Sequence, residues 1–450
     1  MIVDKQVEKR ENANVKLTVT LDSSYVSGEY QNLLKDYSKK AHIKGFRPGK
    51  VPPKVLESKF GESLKAETTQ HVLEESLKKI FDEIDEKPLP YSQPSLEDEP
   101  ELDFEKDMTF SVTYDIYPEV EVGEYTGLTI EEPVVKVTDE DIQRELEAIQ
   151  EQNAITMDKE SGVVAKDDIV TVNYVELDED GNELEETRRE DFTFTVGTEM
   201  NRYKFDDDVV GMKIGEPKDI EKSYPEDFED GDLAGKTQRI RVTITAVKQR
   251  DLPEIDDELA QDVSDDYETL DELKADIRKR LEKSVENRIR RQKVEQLLGK
   301  ILETSTVPVP ESMVRAELEQ QWRNFLQQFG GNEEQILPLI EAQGRTKEDF
   351  LEQWREQSTT RLKNQLLTQK ILENEEIEAS DEEVDAYIAE QAEGSSMSAE
   401  QAKEHYRSNN MLEYVRHEVQ ERKLFDSLFE KNKVKKGKKQ SVMDVMGRNE

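Results

Sequence analysis

The sequence IKGFRPGKVP, at residues 43–52, is the most informative stretch of this chain. It belongs to a run from Tyr37 to Lys54 that contains no acidic residue, although the whole chain has a net charge of -41. Its two glycines permit a tight turn and its two prolines stiffen the exit, which places Phe46 at the tip. The cations of the run are Lys39, Lys40, Lys44, Arg47, Lys50 and Lys54.

An apolar ring raised between cations suits docking onto a polyanion, because the charges bind phosphate or carboxylate while the ring stacks or inserts. The alternative is an ordinary solvated loop whose Phe46 folds back onto the core, since short motifs often match by chance. The composition of the run alone favours the solvated loop.

The motif resembles the ribosome-binding signature of trigger factor, the bacterial ribosome-associated chaperone, in the run Gly-Phe-Arg-Xaa-Gly-Lys-Val-Pro at residues 45–52. Further matches follow in the order of that family over nearly the whole chain. They are FSVTYDIYPEV at 110–120, RDLPE at 250–254, VPVPE at 307–311 and FGGN at 329–332.

The resemblance implies an ATP-independent chaperone that contacts ribosomal RNA and an exit-tunnel protein through this loop and shields nascent and unfolded polypeptides. It assigns ribosome binding to Lys44, Gly45, Phe46, Arg47, Gly49 and Lys50, whereas Pro48 stands where some relatives have a second cation. It also associates the chain with cell division and allows a weak homodimer off the ribosome. The alternative function is primarily a prolyl isomerase whose flanking helical domains present substrate.

Composition is consistent with a soluble, cytoplasmic protein of about three domains, at the usual ~150 residues each. The chain has 450 residues, no cysteine, no signal-peptide pattern at its start and no run of apolar residues long enough to span a membrane. We expect no cofactor and no metal, because the four histidines are dispersed and no phosphate-cradling glycine motif occurs. Asp206, Asp207 and Asp208 are interpreted as a charged surface.

The predicted fold class is a multidomain α+β protein. The resemblance implies an N-terminal α+β ribosome-binding domain, an inserted FKBP-like antiparallel β domain and a helical C-terminal chaperone domain with arms. An insertion requires the chain crossings near Ile155 and Lys248 to lie close together. The predicted boundaries are 1–112 for the first domain, 113–154 for a connector that packs with the C-terminal domain, 155–248 for the FKBP-like domain, 249–431 for the helical domain and 432–450 for a lysine-rich, disordered tail.

Periodicity supports these assignments. Val15, Leu17, Val19 and Leu21 alternate with polar residues as in a half-buried strand, and Asp22 can cap the helix that follows. Apolar stripes at helical spacing begin at Leu270, Val314 and Leu351. Short strands are predicted at 169–175, 192–196 and 240–244, separated by glycine-rich turns.

An aromatic pocket is the feature to seek in the FKBP-like domain, because a dry pocket favours the twisted, less dipolar amide of the isomerisation transition state. The resemblance assigns the catalytic pocket lining to Tyr174, Phe205 and Phe228. Phe192, Phe194 and Tyr224 fall on or near other pocket positions, and for Phe192 and Phe194 plain core packing is the favoured interpretation.

Three departures from the family pattern weaken this pocket. Arg202-Tyr203-Lys204 stands where the family has an Ile-Pro-Gly run, and Leu184 and Ile240 replace common aromatic residues. We therefore expect the fold to be retained and the catalysis to be weak or lost.

Overall fold

The computed structural model describes residues 2–40, 42, 46, 51–98, 100, 102–178, 180–342, 344–393 and 397–447. The chain forms two compact units, one of residues 1–132 with 291–437 and the other of residues 133–290 with 438–450. The strands are β1 (Ile2–Lys9), β2 (Asn14–Leu21), β3 (Ser95–Leu96), β4 (Met108–Asp115), β5 (Thr129–Val135), β6 (Ile155–Asp158), β7 (Ile169–Leu177), β8 (Arg189–Thr195), β9 (Pro217–Ser223), β10 (Thr237–Asp251) and β11 (Lys433–Gln440). The helices are α1 (Ser23–Lys40), α2 (Pro53–Glu83), α3 (Asp139–Gln152), α4 (Asp206–Val209), α5 (Asp257–Val263), α6 (Leu270–Leu302), α7 (Glu311–Gln328), α8 (Glu333–Ala342), α9 (Lys347–Glu375), α10 (Asp381–Ala392), α11 (Ala399–Ser408), α12 (Leu412–Lys431) and α13 (Val442–Met446).

An antiparallel sheet of order β1-β2-β4-β3 starts the first unit, with α1 and α2 packed on one face. The alternation on β2 is confirmed, because its apolar side chains are fully buried while the residues between them are not. The predicted cap is also present, since the Asp22 carboxylate accepts from the backbone N–H groups of Ser24 at 2.8 Å and Tyr25 at 3.3 Å.

The β domain lies in the second unit, as an antiparallel sheet of order β6-β10-β7-β8 with β9 also paired to β10. β6 pairs with the end of β10, with Ile155 opposite Asp251 and Asp158 opposite Lys248. The chain therefore enters and leaves this domain side by side, as an insertion requires. β6 and β9 are additions to the strands predicted from the sequence.

The connector before the β domain packs against the helices that follow it. Ile142 and Leu146 of α3 are buried in one cluster with Leu273 and Ile277 of α6. Thr138 begins α3 with a capping box, in which its side chain and that of Asp141 satisfy each other's backbone N–H groups.

The expectation of disorder at residues 432–450 is wrong for the part that the structure describes, where β11 pairs with β5 and α13 follows. A run of lysines does not exclude a strand, because strand pairing uses the backbone and leaves the lysine side chains in water. Asn432 fixes the start of this segment. Its side-chain oxygen accepts from the Leu128 N–H at 2.7 Å, and its amide donates to the carbonyls of Tyr125 at 3.0 Å and Leu428 at 2.7 Å.

Replacing Asn432 by Ala should lower the free energy of unfolding of this unit by about 1–3 kcal/mol, because it leaves buried backbone groups without partners. Both tryptophans, Trp322 and Trp354, lie in the same unit. Urea unfolding of the full chain, followed by tryptophan fluorescence, therefore measures the effect.

Asn409→Ala is the matched control. Asn409 is exposed, and its side-chain amide donates at 2.8 Å to the carbonyl of His405, four residues earlier in the chain. An unfolding midpoint for Asn432→Ala equal to that of the control would contradict the assigned role.

Candidate functional site

Two of the three predicted pocket-lining residues, Tyr174 and Phe205, meet in a cluster of rings with Phe192, Phe194 and Tyr203, here called the β-domain cluster. The Tyr174 ring is edge-on to Phe192 at 5.7 Å and to Phe205 at 5.8 Å between centroids. Phe194 meets Phe205 at 5.6 Å, also edge-on. These are favourable aromatic geometries, because ring edges are positive and faces negative.

Strand register places three of the rings. Tyr174 lies on β7 opposite Val242 of β10. Phe192 and Phe194 lie two residues apart on β8, and so they share one face of the sheet. Phe194 is buried, as the core-packing interpretation predicts, whereas Phe192 is only partly buried.

Phe205 and Phe228 differ in depth. Phe205, at the start of α4, is fully buried, whereas Phe228 is only partly buried and packs on Tyr224 at 4.7 Å between centroids. The Tyr224 hydroxyl donates to the Tyr203 carbonyl at 2.9 Å. Burial raises the pKa of Tyr224 to about 12, so its hydroxyl remains a donor at neutral pH.

Side-chain hydrogen bonds connect the segment from Asn201 to Asp206 with the turn before it. Asp206 is 3% exposed, and one carboxylate oxygen accepts from the backbone N–H groups of Gly197 at 2.8 Å and Glu199 at 3.2 Å, while the other accepts from the Asn201 side chain. The interpretation of Asp206 as charged surface is therefore wrong, because its carboxylate holds the loop together from inside.

Lys204 takes the position where the family has glycine, and its φ is 51°. This is the left-handed region that favours glycine and costs other residues about 1–2 kcal/mol. Lys204 thus adopts a conformation that glycine takes without strain. The Lys204 side chain helps by donating to the Glu199 carbonyl at 2.6 Å.

Tyr203 and Glu176 are site residues that sequence reasoning missed. Tyr203 is 3% exposed, and its hydroxyl donates to the Glu176 carboxylate at 2.5 Å. The other Glu176 oxygen accepts from the Gln238 side chain. No periodicity marks Tyr203, because it stands in a loop between two cations.

An ion pair ties this loop to the segment before β10. The Arg202 guanidinium donates to Asp230 at 2.6 Å and lies 3.5 Å from Asp232. The hydrogen bond from Arg202 holds the pKa of the Asp230 carboxyl below its usual range, with help from the Asp232 N–H.

The basic loop is described only in part. Lys44, Gly45, Arg47, Gly49 and Lys50 lie outside the described residues, as does Pro48. Phe46 is 40% exposed. The base of the loop is anchored, since the Ser38 hydroxyl donates to the Val51 carbonyl at 2.9 Å and the Val51 side chain is buried with Leu34 and Leu56.

A second group of rings, here called the helical cluster, is formed by Trp322, Phe325 and Phe329 with Phe350 and Trp354. Phe325 stacks on Trp322 at 5.4 Å and meets Phe329 at 5.0 Å. Trp322 is buried, whereas Phe329 is 56% exposed. α8 packs into the cluster through Ile336 and Ile340 and leaves Leu339 62% exposed.

Comparison with known proteins identifies the class of the β domain first. A family model described as FKBP-type peptidyl-prolyl cis-trans isomerase matches residues 161–247, so this is an FKBP-type domain. Within the described residues, no helix has the length and apolarity needed to cross a membrane.

The chain as a whole belongs to the trigger factor family. Models described as bacterial trigger factor protein and its C-terminus match residues 3–149 and 269–430. The trigger factor of Treponema denticola is 44% identical over 99% of this chain and 100% of its own length, and that of Borrelia hermsii is 34% identical over 99% of both. A solved chain, reported under "Promiscuous Substrate Recognition in Folding and Assembly Activities of the Trigger Factor Chaperone", is 26% identical and covers 94% of this chain and 99% of itself, with a TM-score of 0.43.

Arg202→Ala should raise the pKa of Asp230 towards its ordinary value, because the guanidinium is the main cause of the depression. A carboxylate with a depressed folded-state pKa contributes stability above its unfolded pKa and loses it as the pH falls through the folded one. The variant should therefore be less stable than the wild type at neutral pH, and the difference should vanish in acid. Carboxyl-carbon NMR titration and acid unfolding measure the two effects.

Arg239→Ala, which removes a looser contact with Glu221 at 3.8 Å, is the control and should leave Asp230 unchanged. The same Asp230 pKa in wild type and Arg202→Ala would contradict the assigned interaction.

Proposed function

We propose that this chain is an ATP-independent chaperone that docks at the ribosomal tunnel exit through its basic loop and shields nascent polypeptides with its helical region. The observation that carries the chaperone part is the helical cluster, where large apolar side chains stay exposed beside a packed aromatic core. Its partners would be ribosomal RNA, an exit-tunnel protein and unfolded chains. The prolyl isomerase activity of the FKBP-type domain would be weak or lost.

The helical cluster suits an unfolded client because it offers apolar surface without demanding one sequence. Phe329 and Leu339 are more than half exposed, and Phe329 contacts the ring of Phe325, which is packed against Trp322. Side chains that packing already holds in place lose little conformational entropy when a client binds. More of the free energy gained by burying apolar surface therefore remains as binding free energy. The Arg345 guanidinium, 4.1 Å from the Phe350 ring centroid, adds a charge that can hold acidic clients or backbone carbonyls.

The docking part rests on the loop sequence and on family membership. Its exposed Phe46 follows α1, whose last turn carries Lys39 and Lys40. We further propose the domain boundaries predicted from the sequence, with 1–112 as ribosome-binding domain, 113–154 as connector, 155–248 as isomerase domain and 249–431 as chaperone domain. A weak homodimer, a cytoplasmic location and a link to cell division remain predictions.

The second candidate is primarily a prolyl isomerase, and the FKBP-type match at 161–247 favours it. On that hypothesis the helical region only presents substrate. Such an enzyme would ignore clients that contain no proline.

Phe46→Ala with Arg47→Ala should weaken ribosome co-sedimentation about tenfold or more, because stacking on a base alone is worth about 1–3 kcal/mol. Added salt should weaken the wild type as well, since cation-to-phosphate binding releases counterions.

Lys59→Ala with Phe60→Ala is the matched control, because it removes one cation and one ring, and Phe60 is 41% exposed against 40% for Phe46. Circular dichroism should show that both variants are folded. If the loop variant sediments with ribosomes as well as its control does, the docking proposal fails.

Phe329→Ser with Leu339→Ser should raise about tenfold or more the concentration of chain needed to halve the aggregation of a proline-free client. Burying a Phe or Leu side chain is worth about 1.5–3 kcal/mol, so losing two such contacts lowers affinity by at least that factor. Light scattering of the refolding client measures the effect.

A chain in which a short flexible linker replaces residues 155–248 distinguishes the two candidate functions. The ends of the excised segment lie on two paired strands, because Ile155 pairs with Asp251 and Lys248 with Asp158. The chaperone proposal expects this chain to bind ribosomes and to retain most suppression of aggregation. If it folds but no longer protects the proline-free client, the client site lies in the FKBP-type domain instead.

A further inference from the structure

We propose that Tyr203 occupies the aromatic pocket of the FKBP-type domain and competes there with the proline ring of a substrate. This inference rests on the proposed assignment of Tyr174, Phe205 and Phe228 as pocket lining. It assigns a function to a side chain that stands where the family has the proline of its Ile-Pro-Gly run.

The ring of Tyr203 lies among the lining residues rather than beside them. Its centroid is 5.5 Å from that of Tyr174, edge-on, and 6.4 Å from that of Phe205, with the two planes only 11° apart. A prolyl ring that packed against both Tyr174 and Phe205 on this side would need the space that Tyr203 fills. Both cannot be present, because protein interiors pack without spare volume.

Two hydrogen bonds hold Tyr203 in this position from opposite ends. Its hydroxyl donates to Glu176 at 2.5 Å, and its carbonyl accepts from the Tyr224 hydroxyl at 2.9 Å. Glu176 is itself fixed on β7, opposite Ile240 of β10, and also binds the Gln238 amide. These hydrogen bonds therefore hold the Tyr203 side chain in one rotamer.

The location distinguishes a pocket occupant from an ordinary core residue. Phe192 and Phe228, which flank the site, are only partly buried, so the cluster reaches the surface here. The loop that carries Tyr203 is joined across the rim by the exposed Arg202–Asp230 ion pair, which is worth little in water. Rotation of the Tyr203 side chain out of the cluster would break its hydroxyl bond to Glu176 and uncover Tyr174 and Phe205, while the Asp206 hydrogen bonds and the sheet stay intact.

Competition by a tethered side chain has a definite kinetic signature. The apparent affinity for substrate falls by the fraction of time that the pocket is open, so a pocket open about a tenth of the time has an apparent KM about tenfold higher. The chemical step in the open pocket is unchanged. Removal of the ring should thus lower KM and leave kcat nearly constant.

The test compares the full chain with Tyr203→Ala and Tyr203→Phe in protease-coupled isomerisation of a short Xaa-Pro peptide, and in calorimetric binding of the same peptide. Tyr203→Ala should lower both KM and the peptide Kd about tenfold or more. Tyr203→Phe keeps the ring but loses the bond to Glu176, and should fall between. Met200→Ala, at a position of the same loop that is 79% exposed, should equal the wild type.

The outcomes separate this inference from the proposed isomerase function. Tighter peptide binding without faster isomerisation supports the occupancy and removes the enzymatic part of the proposed function. Wild-type KM and Kd in Tyr203→Ala, with isomerisation present, overturn the occupancy and leave the enzyme standing. Wild-type affinity with no isomerisation overturns the occupancy as well. If circular dichroism shows that Tyr203→Ala is unfolded, Tyr203→Phe decides, and an unchanged Kd for it overturns the inference.

Discussion

Strand pairing between segments far apart in the sequence is the interaction on which the β-containing parts of this cysteine-free chain depend. β2 pairs with β4 so that Leu21 meets Met108, and β10 pairs with both β6 and β7. Each pairing closes a long loop, whose entropy must be offset by the apolar faces brought together. The buried alternation on β2 and the ring cluster beside β7 supply that burial. The candidate pocket is therefore a product of register, since a slip of one residue would turn Tyr174 to the other face.

The sequence predicts those helices and strands in which apolar residues recur at regular spacing along the whole element. The alternation from Val15 to Leu21 and the stripe on α6 each mark a buried face directly, and both are confirmed. β11 could not be predicted in this way, because its order comes from backbone pairing and from Asn432, a residue with no periodic neighbours. The buried state of Asp206 was missed for the same reason, since its partners are backbone N–H groups in a folded loop.

The aromatic residues in the sequence indicate where the candidate pocket lies, but they do not indicate whether it is open or filled. The same residue types line a cavity or fill a core, and only depth distinguishes the fully buried Phe205 from the partly buried Phe228. Tyr203 shows why a family comparison of lining positions is incomplete. Lys204 adopts a φ of 51°, in the region that favours glycine, while the neighbouring Tyr203 side chain packs against Tyr174 and Phe205. Retention of the wall residues thus does not by itself imply an open site.

Charge acts locally in this protein, which reconciles a net charge of -41 with the proposed docking onto a polyanion. At physiological ionic strength the Debye length is about 8 Å, so a phosphate at the loop interacts mainly with the cations nearest to it. The sequence keeps every residue from Tyr37 to Lys54 free of acidic side chains, whereas elsewhere cations are commonly paired, as Arg202 is with Asp230. Exposed pairs of that kind add little stability, so the acidic excess chiefly keeps the chain soluble and repels other acidic surfaces. A polyanion then meets, around Phe46, a stretch of sequence with six cations and no acidic residue, and the acidic excess disfavours its binding over the rest of the chain.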